Sequence, residues 1–466
     1  MSLQTKLSSM AQIWIPKSSP RGWNEVTLAK CLKGTFKVAG LWPIVYDLGS
    51  IYVYDEGEGI WTELDRDTVK SLALKFSEAT TEGGKRVQMT ASRANGIYEC
   101  LRLDDEVLNN GFFSKPREGI PFKNCLVVLE NGEFKEVPHS PENRLRAKFR
   151  YVYKPGAKPT KLLKLLDEVF LPDKDKAQKI MALQEILGAA MAGVGTNYQR
   201  TMIATGEGSN GKNTVLDTLT GIFPAEFVTS IAPQKWGDQN YRAMLHNSLL
   251  NMVPDMQDTR ILSNSDFKPI VSGDPVVAAH KHRDPFEFRC RASHIMICND
   301  LPPVVDFSYG YRRRFLILGF NRQFSPDDEG TRTKQEIIDE VLSHDREAIG
   351  TWALEGYKRL VENGAYTEPP SHKLALDKWL ASSDPVADFM SSICVRVVEG
   401  GDTDDHLYKE FKNWKKTSGH KKEWSMVMFR RRLDQLGVRV VDGKRLLTTG
   451  TEVDMEVEME WLEEVQ

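Results

Sequence analysis

The 466-residue sequence has no apolar run near the ~18 residues that a membrane span requires. Its N-terminus lacks a charged segment followed by an apolar one, so no secretory signal is predicted. Its six cysteines form no CxxC pair and no spacing typical of a metal site, which predicts reduced, structural thiols. Internal repeats are also missing. We therefore expect no membrane role and a place in bacterial or host cytoplasm.

An excess of positive charge is lacking as well. The formal net charge of −3 argues, taken alone, against a nucleic-acid binder, because neutralising phosphates needs clustered Lys and Arg. The charge is unevenly distributed, however. Residues 405–445 contain twelve Lys and Arg against five Asp and Glu, whereas residues 452–466 contain seven acidic residues and no basic one. The sequence thus predicts a basic module followed by an acidic tail.

Changes of pattern along the chain predict its domains. Residues 51–61 and 124–137 alternate like hairpins, the second with an Asn-Gly turn, and residues 67–79 are helical by period. Residues 153–161 are rich in Pro and Lys, as linkers are, and a further boundary is predicted at residues 383–385. The predicted segments are a mixed α/β domain (1–150), a helical collar or linker (151–195), a P-loop core (196–330), a helical lid or linker (331–383), a basic domain (384–451) and the acidic tail (452–466).

Residues 206–214 form the sharpest motif. They lie between an apolar strand and a helix, where glycines let backbone N–H groups surround phosphates, while a lysine supplies positive charge. One position departs from the usual pattern, because an Asn follows the lysine where Ser or Thr normally binds Mg²⁺; an amide oxygen can still be a ligand. A glycine-rich turn without function is the alternative. The residues predicted to bind nucleotide are Gly206, Gly208, Ser209, Asn210, Gly211, Lys212, Asn213 and Thr214.

Two apolar strands follow that end in polar residues. Residues 248–258 end in acid, which suits a Walker B strand whose carboxylates act on Mg²⁺ and on the attacking water; Asp255 is the first choice and Asp258 the second. In residues 294–300 the apolar run is followed by Asn299, whose amide can orient water or contact the γ-phosphate. For the first strand, a plain core strand with a solvated acidic end is the alternative.

Basic residues occupy two further positions. Residues 272–289 predict a hairpin whose tip carries Lys281, His282 and Arg283, suited to gripping phosphates without reading sequence. Arg312, Arg313 and Arg314 precede another apolar strand, and an arginine at a subunit edge can reach a neighbour's γ-phosphate. A solvated surface hairpin and a surface or DNA-contacting patch remain the respective alternatives.

The basic domain shows three helical patterns followed by two short strands around Asp442-Gly443, which suit a winged helix. A basic protein-interaction module is the alternative. The acidic tail predicts either a disordered end or a segment that covers the basic module or pairs with a partner strand. The residues predicted to contact duplex phosphates are Trp414, Lys415, Lys416, Arg430, Arg431 and Arg432.

In its motif order the sequence resembles the superfamily 3 helicases, and within them the phage, plasmid and large-DNA-virus helicase-primase family. The resemblance rests on GEGSNGKNT, the acid-ended strand, FK…SGDPV, ICNDLP and YRRRF, which follow one another within about 110 residues. Upstream it extends through most of residues 50–330. It implies an α/β fold with a P-loop AAA+ core, an N-terminal α/β and helical region, and a C-terminal winged-helix-like domain.

The resemblance also implies roles. Lys212 binds phosphate, Asp255 is the Walker B acid, Asn299 is sensor 1, Lys281 and His282 tip the DNA-binding hairpin, and Arg313 is the arginine finger, with Arg312 and Arg314 as alternatives. The implied cofactors are ATP and Mg²⁺, the metal held by Asn213, Thr214 and Asp255. Many relatives have Glu where Asp255 stands, and a shorter carboxylate predicts slow hydrolysis. The implied partners are single-stranded DNA, forked duplex, other copies in a ring, expected to be a hexamer, and a separate primase or polymerase.

The leading functional hypothesis is a replicative helicase that moves on single-stranded DNA during phage, plasmid or mobile-element replication. Two alternatives stay open. One is a translocase that moves DNA without unwinding it. The other is an initiator in which nucleotide only stabilises assembly on DNA, favoured by Asn213 and Asp255 because both affect hydrolysis more than binding. A soluble metabolic kinase fits less well with Asn299 and the three arginines.

Overall fold

The computed structural model describes residues 23–78, 86–114, 118–254, 256, 266–281, 285–302, 308–325, 332–418 and 423–449. Within these ranges, no helix is both long and apolar enough to cross a bilayer. Asp255, Asp258, His282, Arg283 and the acidic tail lie outside the described residues.

The N-terminal region packs three helices on a small antiparallel sheet of order β1-β2-β3. The β2–β3 pair confirms the predicted hairpin, with Ile51 opposite Leu64. The predicted helix at 67–79 is confirmed as α2 and the 3₁₀ turn Lys75–Glu78 that continues it. Bounds are α1 Glu25–Val38, β1 Leu41–Asp47, β2 Ser50–Asp55, β3 Ile60–Leu64, α2 Arg66–Leu74 and α3 Ala91–Arg102.

A second antiparallel sheet follows, made of β4 (Ile120–Pro121), β5 (Leu126–Glu130) and β6 (Glu133–Val137). Asn131 and Gly132 join β5 to β6 with φ of 52° and 78°, the two left-handed residues of a tight hairpin turn. The predicted second hairpin is therefore confirmed.

Two helices, α4 (Thr160–Val169) and α5 (Lys176–Ala192), come next, as their period predicts. The linker-like stretch before them is anchored, because Tyr153 is buried with its ring 5.3 Å from that of Phe122. The second sheet therefore shares a hydrophobic core with these helices and is not held at a distance by a free spacer.

The centre of the protein is a five-stranded sheet of order β13-β7-β12-β9-β8, in which every neighbouring pair is parallel. Alternate residues of its strands face two separate cores, for example Met202 and Ile203 of β7. Burial on both faces explains why these strands read as continuous apolar runs. Bounds are β7 Thr201–Thr205, α6 Lys212–Thr220, β8 Val228–Thr229, α7 Gln239–Ala243, β9 Leu250–Val253, α8 Phe267–Ser272, β10 Pro275–Ala278, β11 Phe286–Arg289, β12 Ser293–Cys298, α9 Tyr309–Arg312 and β13 Phe315–Gly319.

Long helices cover the sheet. The 30-residue α10 (Lys334–Asn363) starts at a capping box formed by Thr333 and Glu336 and crosses α5 closely. A Cβ atom at Gly188 of α5 would collide with the carbonyl oxygen of Ala353, so glycine permits this crossing. The following α11 (Pro370–Ser383) lies along edge strand β13, where His372 Nδ1 accepts a hydrogen bond from the N–H of Ile317 at 3.0 Å.

The C-terminal region contains α12 (Pro385–Ile393), β14 (Cys394–Arg396), α13 (Asp404–Lys415), α14 (Met426–Gln435), β15 (Val440–Val441), β16 (Lys444–Arg445) and β17 (Leu447–Thr449). The three predicted helices and the predicted turn are confirmed, since Asp442 and Gly443 have φ of 51° and 78° between β15 and β16. At the boundary predicted near residue 384, Asp384 is 2% exposed and caps α12. One hydrophobic core runs from the sheet through Trp379 to Phe389, so no exposed linker separates the regions.

Candidate nucleotide site and basic surfaces

The loop from Gly206 to Gly211 joins the carboxyl end of β7 to the first turn of α6. Gly206 has φ of 150°, and a Cβ atom there would collide with the carbonyl oxygen of Phe320. Gly211 caps α6 with φ of 78°. Both positions need glycine for steric reasons. The loop therefore bends tightly and directs the helix N-terminus toward the carboxyl edge of the sheet.

Lys212 is 5% exposed, and acceptors from two strand ends surround its ammonium group. The Nζ atom donates to the carbonyl oxygens of Gly206 at 2.7 Å and Cys298 at 3.1 Å, and to Asn299 Oδ1 at 3.2 Å. The proposed phosphate lysine and the proposed sensor amide are thus in direct contact. They meet because β12 lies beside β7, with Cys298 level with Thr205.

The loop offers free donors to an anion. Among the described residues, no hydrogen-bond acceptor pairs with the backbone N–H of Gly208, Gly211 or Asn213. A side chain at Gly208 would meet nothing within 4 Å, so the loop is open on that side. Unpaired N–H groups beside a helix N-terminus attract phosphate through both hydrogen bonding and the helix dipole.

The polar residues after Lys212 also face outward. Asn213 is exposed and Thr214 half-buried on the first turn of α6, so both side chains have room for a ligand. In the described part of the chain, no group of three or more His, Cys, Asp or Glu is arranged to hold a metal ion. The oxygens that α6 offers to a magnesium ion are therefore those of Asn213 and Thr214. Asp255, which follows the predicted Walker B strand β9, lies outside the described residues.

The three arginines lie at the opposite edge, just before β13. Arg312 and Arg313 are exposed; Arg313 Nη2 donates to Gln199 Oε1 at 2.5 Å, and Arg312 Nη2 lies 3.6 Å from Asp377 Oδ1. Arg314 is only 9% exposed, and its guanidinium bonds to Ser272 Oγ at 2.7 Å and to the carbonyl oxygen of Gly310. Of the three, Arg314 therefore connects α8 to α9 within the chain, whereas Arg313 remains accessible.

The predicted basic hairpin is confirmed as an antiparallel pair, β10 with β11, and Val277 lies opposite Glu287. Lys281 is exposed at its end. Near the tip, the ring of His280 stacks on Phe286 with centroids 5.4 Å apart. The arms are therefore held together by their side chains as well as by the backbone.

In the C-terminal region, some of the residues predicted to contact phosphates form salt bridges within the chain. Arg430 Nε lies 3.0 Å from Asp404 Oδ2, and Arg432 Nε donates to Asp384 Oδ2 at 2.8 Å. Arg432 thus fastens α14 to the start of α12. Lys416 and Arg431 are exposed, while Trp414 and Lys415 are half-buried.

Comparison with known proteins finds two partial family matches and one distant viral relative. Residues 35–171 match the family described as "D5 N terminal like", and residues 204–314 match a "Family of unknown function (DUF5906)". A helicase-like relative exists. It is the "Putative helicase L207/L206" of Acanthamoeba polyphaga mimivirus, 22% identical over 295 residues that make up 59% of this chain and 29% of that protein. This chain thus spans less than a third of the relative's length.

Among solved structures, the chain is similar to "The apo structure of NrS-1 C terminal region (305-718)", with a TM-score of 0.48 and 14% identity over 92% of this chain and all of that one. It is also similar to "The A form apo structure of NrS-1 C terminal region-CTR", with a TM-score of 0.47 and 14% identity over 90% of this chain and 87% of that one.

Sequence reasoning missed the segment that follows β13. The N–H of Phe320 donates to the carbonyl oxygen of Thr205 at 2.8 Å. The N–H of Phe324 donates to the carbonyl oxygen of Ser209 at 2.8 Å. Asn210 Nδ2 reaches back to the carbonyl oxygen of Phe320 at 3.1 Å. Residues 320–325 therefore support the phosphate loop from the side. The available signal was their position directly after an apolar strand, since carboxyl ends of parallel strands share one edge.

Proposed function

We propose that this protein is an ATP-dependent DNA helicase of the superfamily 3 type, which moves along single-stranded DNA as a ring. The observation that carries the proposal is the contact of Lys212 Nζ with Asn299 Oδ1 at 3.2 Å, beside a loop with free N–H groups. Lysine, sensor amide and helix N-terminus converge where a triphosphate would bind. The distant match to a putative viral helicase supports the same function.

In this proposal the P-loop N–H groups bind the β- and γ-phosphates, and Lys212 turns from its present carbonyl partners to the phosphate oxygens. Asn213, Thr214 and Asp255 hold Mg²⁺, which neutralises phosphate charge when bound. Asn299 keeps its position beside Lys212 and orients the attacking water. Asp255 or Asp258 polarises that water.

The sheet geometry favours an arginine finger that acts between subunits. Arg313 precedes the five-residue β13, whose far end is level with Thr205. A strand of that length spans about 13 Å, so Arg313 lies at the far edge from its own Lys212. An exposed guanidinium in that position reaches a γ-phosphate only in a neighbouring copy, which supports a ring; the family resemblance implies six copies.

DNA contacts are assigned in the same proposal to the hairpin tip at Lys281, His282 and Arg283, inside the ring channel. The C-terminal region acts as a winged-helix-like module that contacts duplex DNA through Lys415, Lys416 and Arg431, with Arg430 at its margin.

The test measures ATP turnover with and without single-stranded DNA, together with displacement of a labelled strand from a forked duplex. Turnover stimulated by the strand, with ATP-dependent displacement, is the expected result. Stimulated turnover without displacement would identify a non-unwinding translocase instead. Absent turnover in the presence of Mg²⁺ and DNA would contradict the helicase.

One observation favours a nucleotide-gated initiator as second candidate. Asn213 is exposed on α6 at the position where Ser or Thr normally binds Mg²⁺. If wild-type protein assembles on DNA with ATP but hydrolyses none, Asn213→Thr should restore measurable turnover, because a hydroxyl ligand replaces the amide. Wild-type turnover at rates typical of helicases would remove this candidate.

A further inference from the structure

A cavity of about 560 Å³ lies between the N-terminal region and the amino edge of the central sheet. Its apolar wall includes Trp61, Phe113 and Met191, and three arginines line the rest: Arg144, Arg146 and Arg291. This arginine cleft is at the opposite edge of the sheet from Lys212, because Arg291 lies two residues before the start of β12.

The three guanidiniums are oriented but largely unused as donors. Arg144 Nη1 donates to the carbonyl oxygen of Phe112 at 3.0 Å, Arg146 Nη2 to Asn247 Oδ1 at 3.0 Å, and Arg291 Nε to the carbonyl oxygen of Gly193 at 3.0 Å. Across the described chain, none of the three lies within 4.0 Å of a carboxylate oxygen, although Glu118 attracts Arg291 from farther away and Arg146 also bonds to the Tyr52 hydroxyl. Since a guanidinium has five N–H donors, most of them remain for a ligand.

Aromatic rings fix two of these arginines further. The guanidinium carbon of Arg144 lies 4.8 Å from the centroid of the Phe112 ring, and that of Arg146 lies 5.3 Å from that of Phe113. Arg144 also has φ of 55°, a left-handed conformation that is uncommon for arginine. Oriented guanidiniums lose little entropy on binding and match phosphate oxygens in pairs.

The acidic residues of the cleft already have partners. Glu63 Oε1 accepts a hydrogen bond from Ser50 Oγ at 2.6 Å, and Glu226 Oε2 lies 3.4 Å from Arg150 Nη2. Neither carboxylate is paired with a cleft arginine, and the three arginines of the lining outnumber the two glutamates, so the lining carries a net positive charge. Such a site favours an anion.

The cleft adjoins the basic hairpin. The ring of His246 lines the cleft and lies 5.0 Å from Phe286 and 5.3 Å from Phe288 of β11. A strand held by the hairpin can therefore continue into the cleft. A volume of this size accepts one or two nucleotides of a single strand but excludes a duplex.

We propose that the arginine cleft binds phosphates of single-stranded DNA, as a second contact site beside the hairpin. The nature of the ligand rests on the proposed function, whereas the site is separate from the one that binds nucleotide. Arg144, Arg146 and Arg291 bind the backbone without reading base sequence.

The experiment measures binding of a labelled oligo-dT to the full chain at several salt concentrations, without ATP. The double variant Arg144→Ala/Arg146→Ala should bind on the order of tenfold more weakly, and its slope of log affinity against log salt should become shallower by about 1.4, for two lost contacts to a single strand. Arg146→Lys should keep the wild-type slope. Arg66→Ala is the matched control, an exposed arginine paired with Glu99 outside the cleft.

Unchanged affinity and slope in the double variant would overturn the proposal, as would an equal loss in Arg66→Ala. Weaker binding at an unchanged slope would also overturn it, because the arginines would then act only through the fold. If the wild type binds oligo-dT in this arginine-dependent way yet hydrolyses no ATP, the result contradicts the proposed helicase function and supports the proposed DNA site in the cleft. If it binds no DNA at all, the result contradicts both proposals.

Discussion

At the carboxyl edge of the central sheet, three acceptors surround the buried ammonium of Lys212, and free N–H groups lie above it. At the amino edge, Arg313 reaches outward and Arg146 lines a cleft, whereas Arg314 is buried. At the first edge, the lysine, the amide and the N–H groups all come from one chain, although the proposed arginine finger would reach it from a neighbour. At the second edge, the accessible arginines leave N–H donors for an outside partner. Under the proposed function, the sheet thus separates the site for nucleotide from the surfaces for a neighbour and for DNA.

The largest expected effect concerns the carboxyl edge. Lys212→Ala removes the charge that the phosphates meet, so ATP turnover should fall by at least about 10³-fold. Steady-state phosphate release checks this. Lys164→Ala is the matched control, because that lysine is exposed on α4 and its ion pair with Glu168 spans 4.0 Å. Similar ATP turnover in both variants would contradict a nucleotide site at this edge of the sheet.

Arg313→Ala tests whether the amino edge completes a neighbour's site. Turnover should fall by about 10³-fold, the usual effect of losing an arginine finger, while nucleotide binding stays intact. Mixing this variant with wild type should lower activity more than the fraction of variant subunits does. Activity in mixtures that simply follows the wild-type fraction would contradict a finger acting between subunits.

Arg314 is adjacent in sequence but should behave differently. Arg314→Ala removes bonds to Ser272 Oγ and to the carbonyl oxygen of Gly310 from a buried site, so unfolding free energy should fall by about 1–3 kcal/mol. Urea unfolding measures it. Arg312→Ala, whose side chain is 44% exposed, serves as control and should change stability by less than about 0.5 kcal/mol. Equal losses of unfolding free energy would mean that the difference in burial does not determine what the two arginines contribute to stability.

These neighbouring arginines show where sequence reasoning stopped. Local spacing, which is visible in the sequence, was enough to predict several features. These are the phosphate loop, the Asn-Gly turn, the Asp-Gly turn and the strand that Asn299 follows. Burial of Arg314 depends on α8, some forty residues earlier in the chain, through Ser272. No periodicity reports such a contact.

The arginine cleft illustrates the same limit at longer range. Arg146 and Arg291 are far apart in the sequence, and both line the cleft because the N-terminal region packs on the sheet edge. Likewise, fully buried Lys179 reads as an ordinary helical lysine, although its Nζ donates to the carbonyl oxygen of Gly319 at 2.7 Å. Tertiary packing determines these roles.

The last expected effect is a change of slope with pH, and it concerns the middle of the sheet, between the two edges. His294 of β12 is 1% exposed and packs against Trp236, and burial lowers its pKa to about 3. The folded protein thus keeps His294 neutral, while the unfolded chain takes up a proton below its ordinary pKa of about 6.5. Stability should therefore decline as pH falls from about 6.5 toward 3, by up to about 1.4 kcal/mol per pH unit from this residue.

His294→Gln removes the titrating group, so its unfolding free energy should depend less steeply on pH between about 5 and 6.5 than that of wild type. His139, His246 and His372, whose pKa values burial also lowers, contribute equally to both proteins and cancel in the comparison. His344→Gln is the control, since that imidazole is exposed on α10. A shallower slope only in His294→Gln would show that the sheet core, unlike either edge, excludes charge. The same slope in all three proteins would mean that protons or water reach β12 in the folded state.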